Sequence, residues 1–205
     1  MNNTNHLTYT MKKHLLLGAL AILLFTQCAE EKDPFLIQNG AIGNLTKQMK
    51  MKQVDSIFAM DSIVPLSTIE NALGTQGEVE VYAKGGKKLL LLSPDNETDP
   101  NSVITNIQVF DERFKTEKGL HLNSTFADVK ANYKVAGIQN AINAVVVFLK
   151  DSDIYLTIDK KDLPASLRYN NNIKVEATQI PDAATFKYFM IGWDKEDISD
   201  TTSDE

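Results

Sequence analysis

The chain reads as an α+β fold, with antiparallel strands in one or more sheets and a few short helices over one face. Three observations lead there. Residues Glu78 to Tyr82 alternate charged and apolar side chains, the pattern of a strand with one wet and one buried face. The nearby Gly85-Gly86 supplies the positive backbone angles of a tight hairpin turn. Val54, Ile57 and Phe58, and again Phe126, Val129 and Tyr133, fall at the spacing of a single helical face.

In chain order, Phe35-Leu36-Ile37 starts a short strand, and Gly40 and Gly43 punctuate the turn after it. An amphipathic helix of about two to three turns follows around Lys52 to Met60. Pro65 interrupts the chain, and Ser67 to Leu73 adds a short turn of helix. The strand at Glu78 to Tyr82 turns at the glycine pair and returns as Lys88 to Leu92, whose run of leucines implies deep burial. A polar loop, Pro94 to Ser102, leads into a strand from Val103 to Phe110. In the second half, Gly119 precedes Leu120, and Thr125 with Asp128 three residues on marks a helix start. Strands Ala144 to Leu149 and Ile154 to Ile158 are joined at Asp151-Ser152-Asp153. Lys161 to Tyr169 holds a short helix broken by Pro164. Ile173 to Thr178 and Thr185 to Trp193 complete the strands, with Pro181-Asp182 turning between them.

Both halves therefore run helix, hairpin, further strand, and Val54 and Phe58 match Val129 and Tyr133 in spacing. That order predicts a diverged tandem αβ module, similar to the arrangement in several small secreted binding and inhibitor proteins.

The N-terminal segment carries a different message. From Met11 to Cys28 the sequence is MKKHLLLGALAILLFTQC. Two lysines precede an apolar run from Leu15 to Phe25, which is too short to span a bilayer as a finished transmembrane helix. The sole cysteine of the chain, Cys28, follows almost at once. This layout resembles a bacterial lipoprotein signal peptide, cut before a cysteine whose thiol then carries lipid. The tripeptide ahead of the cysteine, Phe25-Thr26-Gln27, departs from the usual pattern, since Gln27 is larger than the customary neighbour of the cut. On the residues alone, an uncleaved anchor or an ordinary secretory signal remain as alternatives. Residues Met1 to Thr10 carry no charge and add nothing to the layout, so Met11 is the expected initiator.

The resemblance implies removal of residues 1–27 and attachment through Cys28. Two or more acyl chains hold a protein stably to one leaflet, at about 0.8 kcal/mol per buried CH2, where a single chain holds it only marginally. Residues 28–34 then form a lipidated tether, with Ala29-Glu30-Glu31-Lys32-Asp33-Pro34 too polar to pack. Position 29 is not Asp, so the familiar inner-membrane retention signal is absent, and the acidic stretch resembles a surface-export signal. The expected address is the outer membrane, on the periplasmic side or at the cell surface. Residues 35–193 form a single α+β domain, and 194–205, with six acids against one lysine, form an acidic disordered tail. Within that tail, Asp200-Thr201-Thr202 resembles a short O-glycosylation acceptor.

Charge and composition narrow the function. The full chain has a formal net charge of −6, and losing residues 1–27 takes away two lysines and no acids. An acidic protein of this kind is not expected to bind nucleic acid or to be drawn electrostatically onto anionic lipid. With one cysteine, committed to lipid, an internal disulfide is impossible and the core alone must hold the fold.

Candidate chemistry is sparse. His6 and His14 lie in the leader, leaving His121 between Leu120 and Leu122, and one histidine without a thiol makes no zinc site. If the two leucines face the core on a strand, His121 faces solvent. No serine sits in a G-x-S-x-G turn. Asp95, Glu97 and Asp99 fit the first slots of a calcium loop, but Pro100 replaces the turn glycine and Asn106 the closing glutamate. Asp111, Glu112, Asp151, Asp153, Asp159 and Asp162 offer carboxylates for a glycosidase, although sequence places no two of them at the required separation. The stretch Phe186 to Trp193 concentrates aromatic residues. Either it presents Tyr188 and Trp193 to a ligand, or Phe189, Ile191 and Trp193 form core with Tyr188 outside.

These readings converge on an outer-membrane-anchored lipoprotein with a non-enzymatic binding or structural role in the envelope, free of metal and cofactor. Its expected partners are the membrane, through lipid on Cys28, and an envelope protein or glycan. Candidate binding residues are Trp193, Tyr188, Asp95, Glu97 and Asp99. Two alternatives stand beside it: an inhibitor or immunity protein against a secreted hydrolase, and a small carboxylate-dependent hydrolase.

Overall fold

A computed structural model describes residues 32–66, 77–99, 101–169 and 173–193. The leader with Cys28, the helix expected at Ser67 to Leu73 and the acidic tail lie outside the described residues. From Asp33 onward the described chain belongs to one unit. It is sheet-rich, with twelve strands in two sheets and a few short helices among the described residues. No described helix is long and apolar enough to cross a membrane.

The small sheet gathers β1 (Leu36–Gln38), β2 (Ala41–Ile42), β3 (Leu45–Thr46) and β8 (Lys115–Thr116), in the order β3-β2-β1-β8. Strand β8 runs parallel to β1, pairing Ile37 with Thr116. The large sheet gathers β4 (Ser62–Pro65), β5 (Val79–Tyr82), β6 (Lys88–Pro94), β7 (Ile104–Val109), β9 (Val135–Asn140), β10 (Ala144–Leu149), β11 (Ile154–Asp159) and β12 (Tyr188–Gly192). Its order is β4-β5-β6-β7-β12-β11-β10-β9, and every neighbouring pair is antiparallel. Two four-stranded meanders therefore meet along their last strands, β7 and β12, with Phe189 opposite Val109 and Ile191 opposite Ile107.

Each meander is preceded by a helix. A 3-10 turn, Met51–Gln53, runs into α1 (Val54–Ile57), and α2 spans Phe126–Asn132. Helix α2 starts where the Thr125–Asp128 pattern places it: the Thr125 amide donates to Asp128 Oδ2 at 2.8 Å. Helix α3 (Ala165–Arg168) begins after Pro164, which cannot donate to a preceding turn.

The strand periodicity fixes which face is core. Val79, Val81, Leu90, Leu92, Ile107, Val109, Phe189, Ile191, Leu156 and Val147 all point to one side and are buried. Met51, Val54, Phe126 and Val129 from the helices, with Ile37, Ile42 and Leu45 from the small sheet, join them in one continuous core. The intervening residues Glu80, Leu91, Gln108, Met190, Tyr155 and Phe148 are half-buried on the opposite face. Burying one face and leaving the other wet is what antiparallel sheets permit.

Two expectations need correction, and two strands had not been expected at all. Ile173 to Thr178 forms no strand: Ala177–Gln179 is a 3-10 turn, closed where the Glu176 amide donates to Gln179 Oε1 at 2.9 Å. The first helix is shorter than Lys52 to Met60, since Phe58 already leaves helical geometry. Strands β4 and β9, both at the sheet edges, were not signalled by the sequence pattern.

Candidate functional site

Two connected depressions open where the small sheet meets the turn between β10 and β11. The first, about 330 Å³, is lined by Gln38 and Asn39 after β1, Glu117 and Lys118 after β8, and Asp151 and Asp153 of the turn. The second, about 520 Å³, shares Lys118, Tyr133 and Asp151 with the first and adds Lys130, Lys134 and Lys150. The result is a forked cleft with one acidic arm and one basic arm.

Local bonding explains why these side chains meet. Asp151 sits at φ 54°, and it is the only non-glycine residue with positive φ among the described residues. Aspartate tolerates that conformation at tight turns. Asn39 Nδ2 donates to the Asp151 carbonyl at 2.8 Å, and the Gly40 amide donates to Asp153 Oδ2 at 2.5 Å. The turn after β1 is thereby stapled to the turn after β10. Gln38 Nε2 donates to Glu117 Oε1 at 2.7 Å, tying the two other walls together.

The shared wall is equally fixed. Tyr133, the first residue after α2, donates its hydroxyl to Thr116 Oγ1 at 2.7 Å. Thr116 Oγ1 in turn accepts the Leu120 amide at 3.0 Å. Lys118 Nζ donates to the Asn132 carbonyl at 2.9 Å and lies 4.7 Å from the centre of the Tyr133 ring. An ammonium at the end of α2 suits the partial negative charge there. Lys130 pairs with Asp182 at the outer rim.

The arrangement is suited to holding a polar ligand. Asn39, Asp153 and Lys118 are held in place by bonds to the backbone, which lowers the ordering cost of using those groups when something binds. The Ser152 hydroxyl is buried and accepts the Ile154 amide at 3.2 Å, a turn-holding role. His121 stands outside the cleft lining, half-buried, its Nδ1 accepting the Asn123 amide at 3.3 Å. Among the described residues no cluster of three or more His, Cys, Asp or Glu is placed to hold a metal ion.

No family model matches the chain, and no curated protein matches it either. Among solved structures it is similar to the uncharacterized protein yfeY from Escherichia coli, at 14% identity and a TM-score of 0.46. That likeness covers 78% of this chain and 99% of the other.

Of the carboxylates that the sequence offered for a glycosidase, Asp151 and Asp153 line the cleft, whereas the candidate binding residues fall elsewhere. Trp193 is 1% exposed and belongs to the core with Phe189 and Ile191, so its ring is not available to a ligand. Tyr188 is 41% exposed on the uncovered sheet face, with Lys187 Nζ 5.4 Å from its ring centre. Asp95, Glu97 and Asp99 lie in the exposed loop between β6 and β7. That loop is closed by its own bonds: Asn96 Oδ1 accepts the Thr98 amide at 2.9 Å, and Asp99 Oδ1 accepts the Asn101 amide at 2.8 Å. It stands at the same sheet end as Asp151 to Asp153, with the end of β12 between them. Cys28 lies outside the described residues.

Sequence reasoning missed the basic arm. Lys134 and Lys150 become neighbours only because β9 pairs with β10, and no local motif announces that pairing.

Proposed function

We propose that this chain is a lipid-anchored protein of the bacterial outer membrane whose folded unit has a non-enzymatic binding role in the envelope. The single observation that carries this reading is the leader, a basic start and short apolar run ending at the only cysteine. The forked cleft, lined with both signs of charge, is the surface we assign to binding.

The tandem αβ module belongs to the same proposal. Helix precedes meander in both halves, and the corresponding last strands pair at the centre of the sheet. Of the two matched pairs, Val54 and Val129 are fully buried, and Phe58 and Tyr133 are half-buried just past the ends of their helices.

A second reading, a small carboxylate-dependent hydrolase, draws support from Asp151 and Asp153 lining one cleft. Against it, Asp153 Oδ2 is already engaged by the Gly40 amide. The inhibitor variant draws on the exposed Asp95 to Asp99 loop, whose internal bonds hold it in one shape.

The test of the anchor is mass spectrometry of the protein recovered from bacterial membranes. Cys28 at the mature N-terminus carrying acyl groups is the expected result; a bare thiol or a retained leader refutes it. Hydrolysis of peptidoglycan, polysaccharide or ester substrates, abolished by Asp151→Asn, would favour the second reading instead.

A further inference from the structure

The geometry points to the basic arm of the cleft as a binding site for a phosphate ester of a sugar or glycerol, held between Lys134 and Lys150. The Lys150 amide donates to the Lys134 carbonyl at 2.8 Å, so the two residues stand directly opposite each other at the end of the β9–β10 ladder. Like charges in that position repel and cost stability. Both residues are exposed, and among the described residues neither ammonium has a carboxylate partner, in a chain that carries 27 acids to choose from. An anion seated between them removes the repulsion.

The neighbours suit that occupant. The bond from Lys118 to the Asn132 carbonyl uses one of the three donors of its ammonium and fixes its position on the shared wall. Two further donors remain for a phosphate oxygen. Lys130 is drawn to the rim by Asp182 and adds no strong pull of its own. Asp151, on the wall between the two arms, disfavours a bare inorganic anion but accepts from a hydroxyl. A phosphate on the lysines with a hydroxyl on Asp151 satisfies both signs. The net charge of −6 opposes this at long range, yet screening over about 8 Å at physiological salt leaves the groove to act locally.

This inference rests on reading the cleft as a binding site and not on the anchor, so acylation of Cys28 and phosphate binding fail separately. The test uses the full chain in detergent micelles, titrated with glycerol 3-phosphate and followed by amide chemical shifts and melting temperature. Shifts are expected at residues 118, 130–134 and 149–151. The double variant Lys134→Gln/Lys150→Gln is expected to bind about tenfold more weakly or worse, given the strength of charge-assisted bonds. Lys84→Gln, on the exposed turn between β5 and β6, is the matched loss of charge and should bind as the parent does. In phosphate-free buffer Lys134→Gln should melt no lower than the parent, since it relieves repulsion. A second arm adds phosphatidylglycerol or phosphatidylcholine to the same micelles and follows the same amide shifts. Binding to the former that needs Lys134 and Lys150, without binding of the free ester, assigns the phosphate to a lipid headgroup; binding of the free ester assigns it to a soluble ligand. Failure of both arms, equal binding by the double variant, or a lower melting temperature for Lys134→Gln overturns the proposal.

Discussion

The hydroxyl of Tyr155 lies 2.7 Å from Oδ1 of Asn106, and the ring that carries it crosses an intervening strand to get there. Tyr155 belongs to β11, Asn106 to β7, and β12 runs between them. The crossing is possible because Gly192, opposite Asn106, has no side chain: a Cβ there would stand 3.1 Å from Tyr155 Cε1. The two meanders are thus clasped on their uncovered face at the seam where they meet.

Tyr155→Phe should therefore lower stability by about 0.5–1.5 kcal/mol, the net worth of one hydrogen bond. Gly192→Ala should also lower stability, because the new methyl requires the ring to give by a few tenths of an ångström and so stretches the bond to Asn106. Urea unfolding of both variants checks this. Gly192→Ala placed in a Tyr155→Ala background should be nearly neutral; an undiminished cost there would show that the ring is not what the new methyl meets.

Asp111 gives the fold a pH dependence with a definite sign. Its side chain is 0% exposed and is engaged bidentately by Arg113, Nη2 to Oδ2 at 2.7 Å, with Lys87 Nζ 3.4 Å from Oδ1. Burial alone would raise this carboxyl, but hydrogen bonds from the Arg113 side chain and backbone, and the charges of Arg113 and Lys87, bring it from 3.8 to about 2. A depressed carboxyl contributes stability that is present above its unfolded value and lost as pH falls toward its folded value. The loss should fall between pH 3.8 and about 2 and amount to about 2 kcal/mol. Asp111→Asn should be less stable at pH 7 and should lack that part of the acid slope. Parallel urea titrations at pH 7 and at pH 2 compare the two.

How much of this was visible in the sequence follows from where each signal is stored. Strands β5, β6, β10 and β11 were legible because alternation or apolar runs fall beside Gly85-Gly86 and Asp151 to Asp153, so pattern and turn agree. The capping pair Thr125 and Asp128 was legible because it is local. The edge strands were not. Ser62–Pro65 ends in a proline, and Val135–Asn140 contains Gly137 and faces solvent along much of its length. The segment from Ile173 misled because Val175 is its one buried apolar residue, while Lys174 and Glu176 are exposed and pair with each other. The cleft was illegible for a stronger reason. Its walls come from four stretches of chain brought together by Asn39, Gly40, Gln38 and Tyr133, through bonds spanning up to 113 residues.

The capping box of α2 offers a local test of that fold. Asp128→Ala removes the acceptor of the Thr125 amide at the start of a helix of seven residues. The expected loss is about 1 kcal/mol, as for other helix caps. Amide exchange should speed up first at Thr125 to Asp128. Unchanged exchange there would mean that the Thr125–Thr185 bridge, not the cap, holds the helix start.

The entry of the chain into the domain depends on Gly43. Its φ is 53°, and a Cβ built on it would lie 2.2 Å from the Pro34 carbonyl oxygen, well inside van der Waals contact. Backbone crowds it, so no side-chain movement relieves the clash. The Gly43 amide also donates to the Leu36 carbonyl at 2.8 Å, which holds the turn against β1. Gly43→Ala must therefore either push Pro34 away or open that bond, and alanine carries a strain penalty at positive φ besides. A loss of more than about 1 kcal/mol is expected. The displaced segment includes Phe35, whose ring packs edge-on against Phe114 at 5.0 Å and under the Arg113 guanidinium at 4.2 Å. Limited proteolysis should accordingly cut Gly43→Ala between residues 33 and 36 well before the parent, while Gly40→Ala, whose Cβ would meet nothing within 4 Å, should pay only the conformational penalty. Equal protection of the Gly43 variant and the parent would mean that the chain enters the domain by a different path.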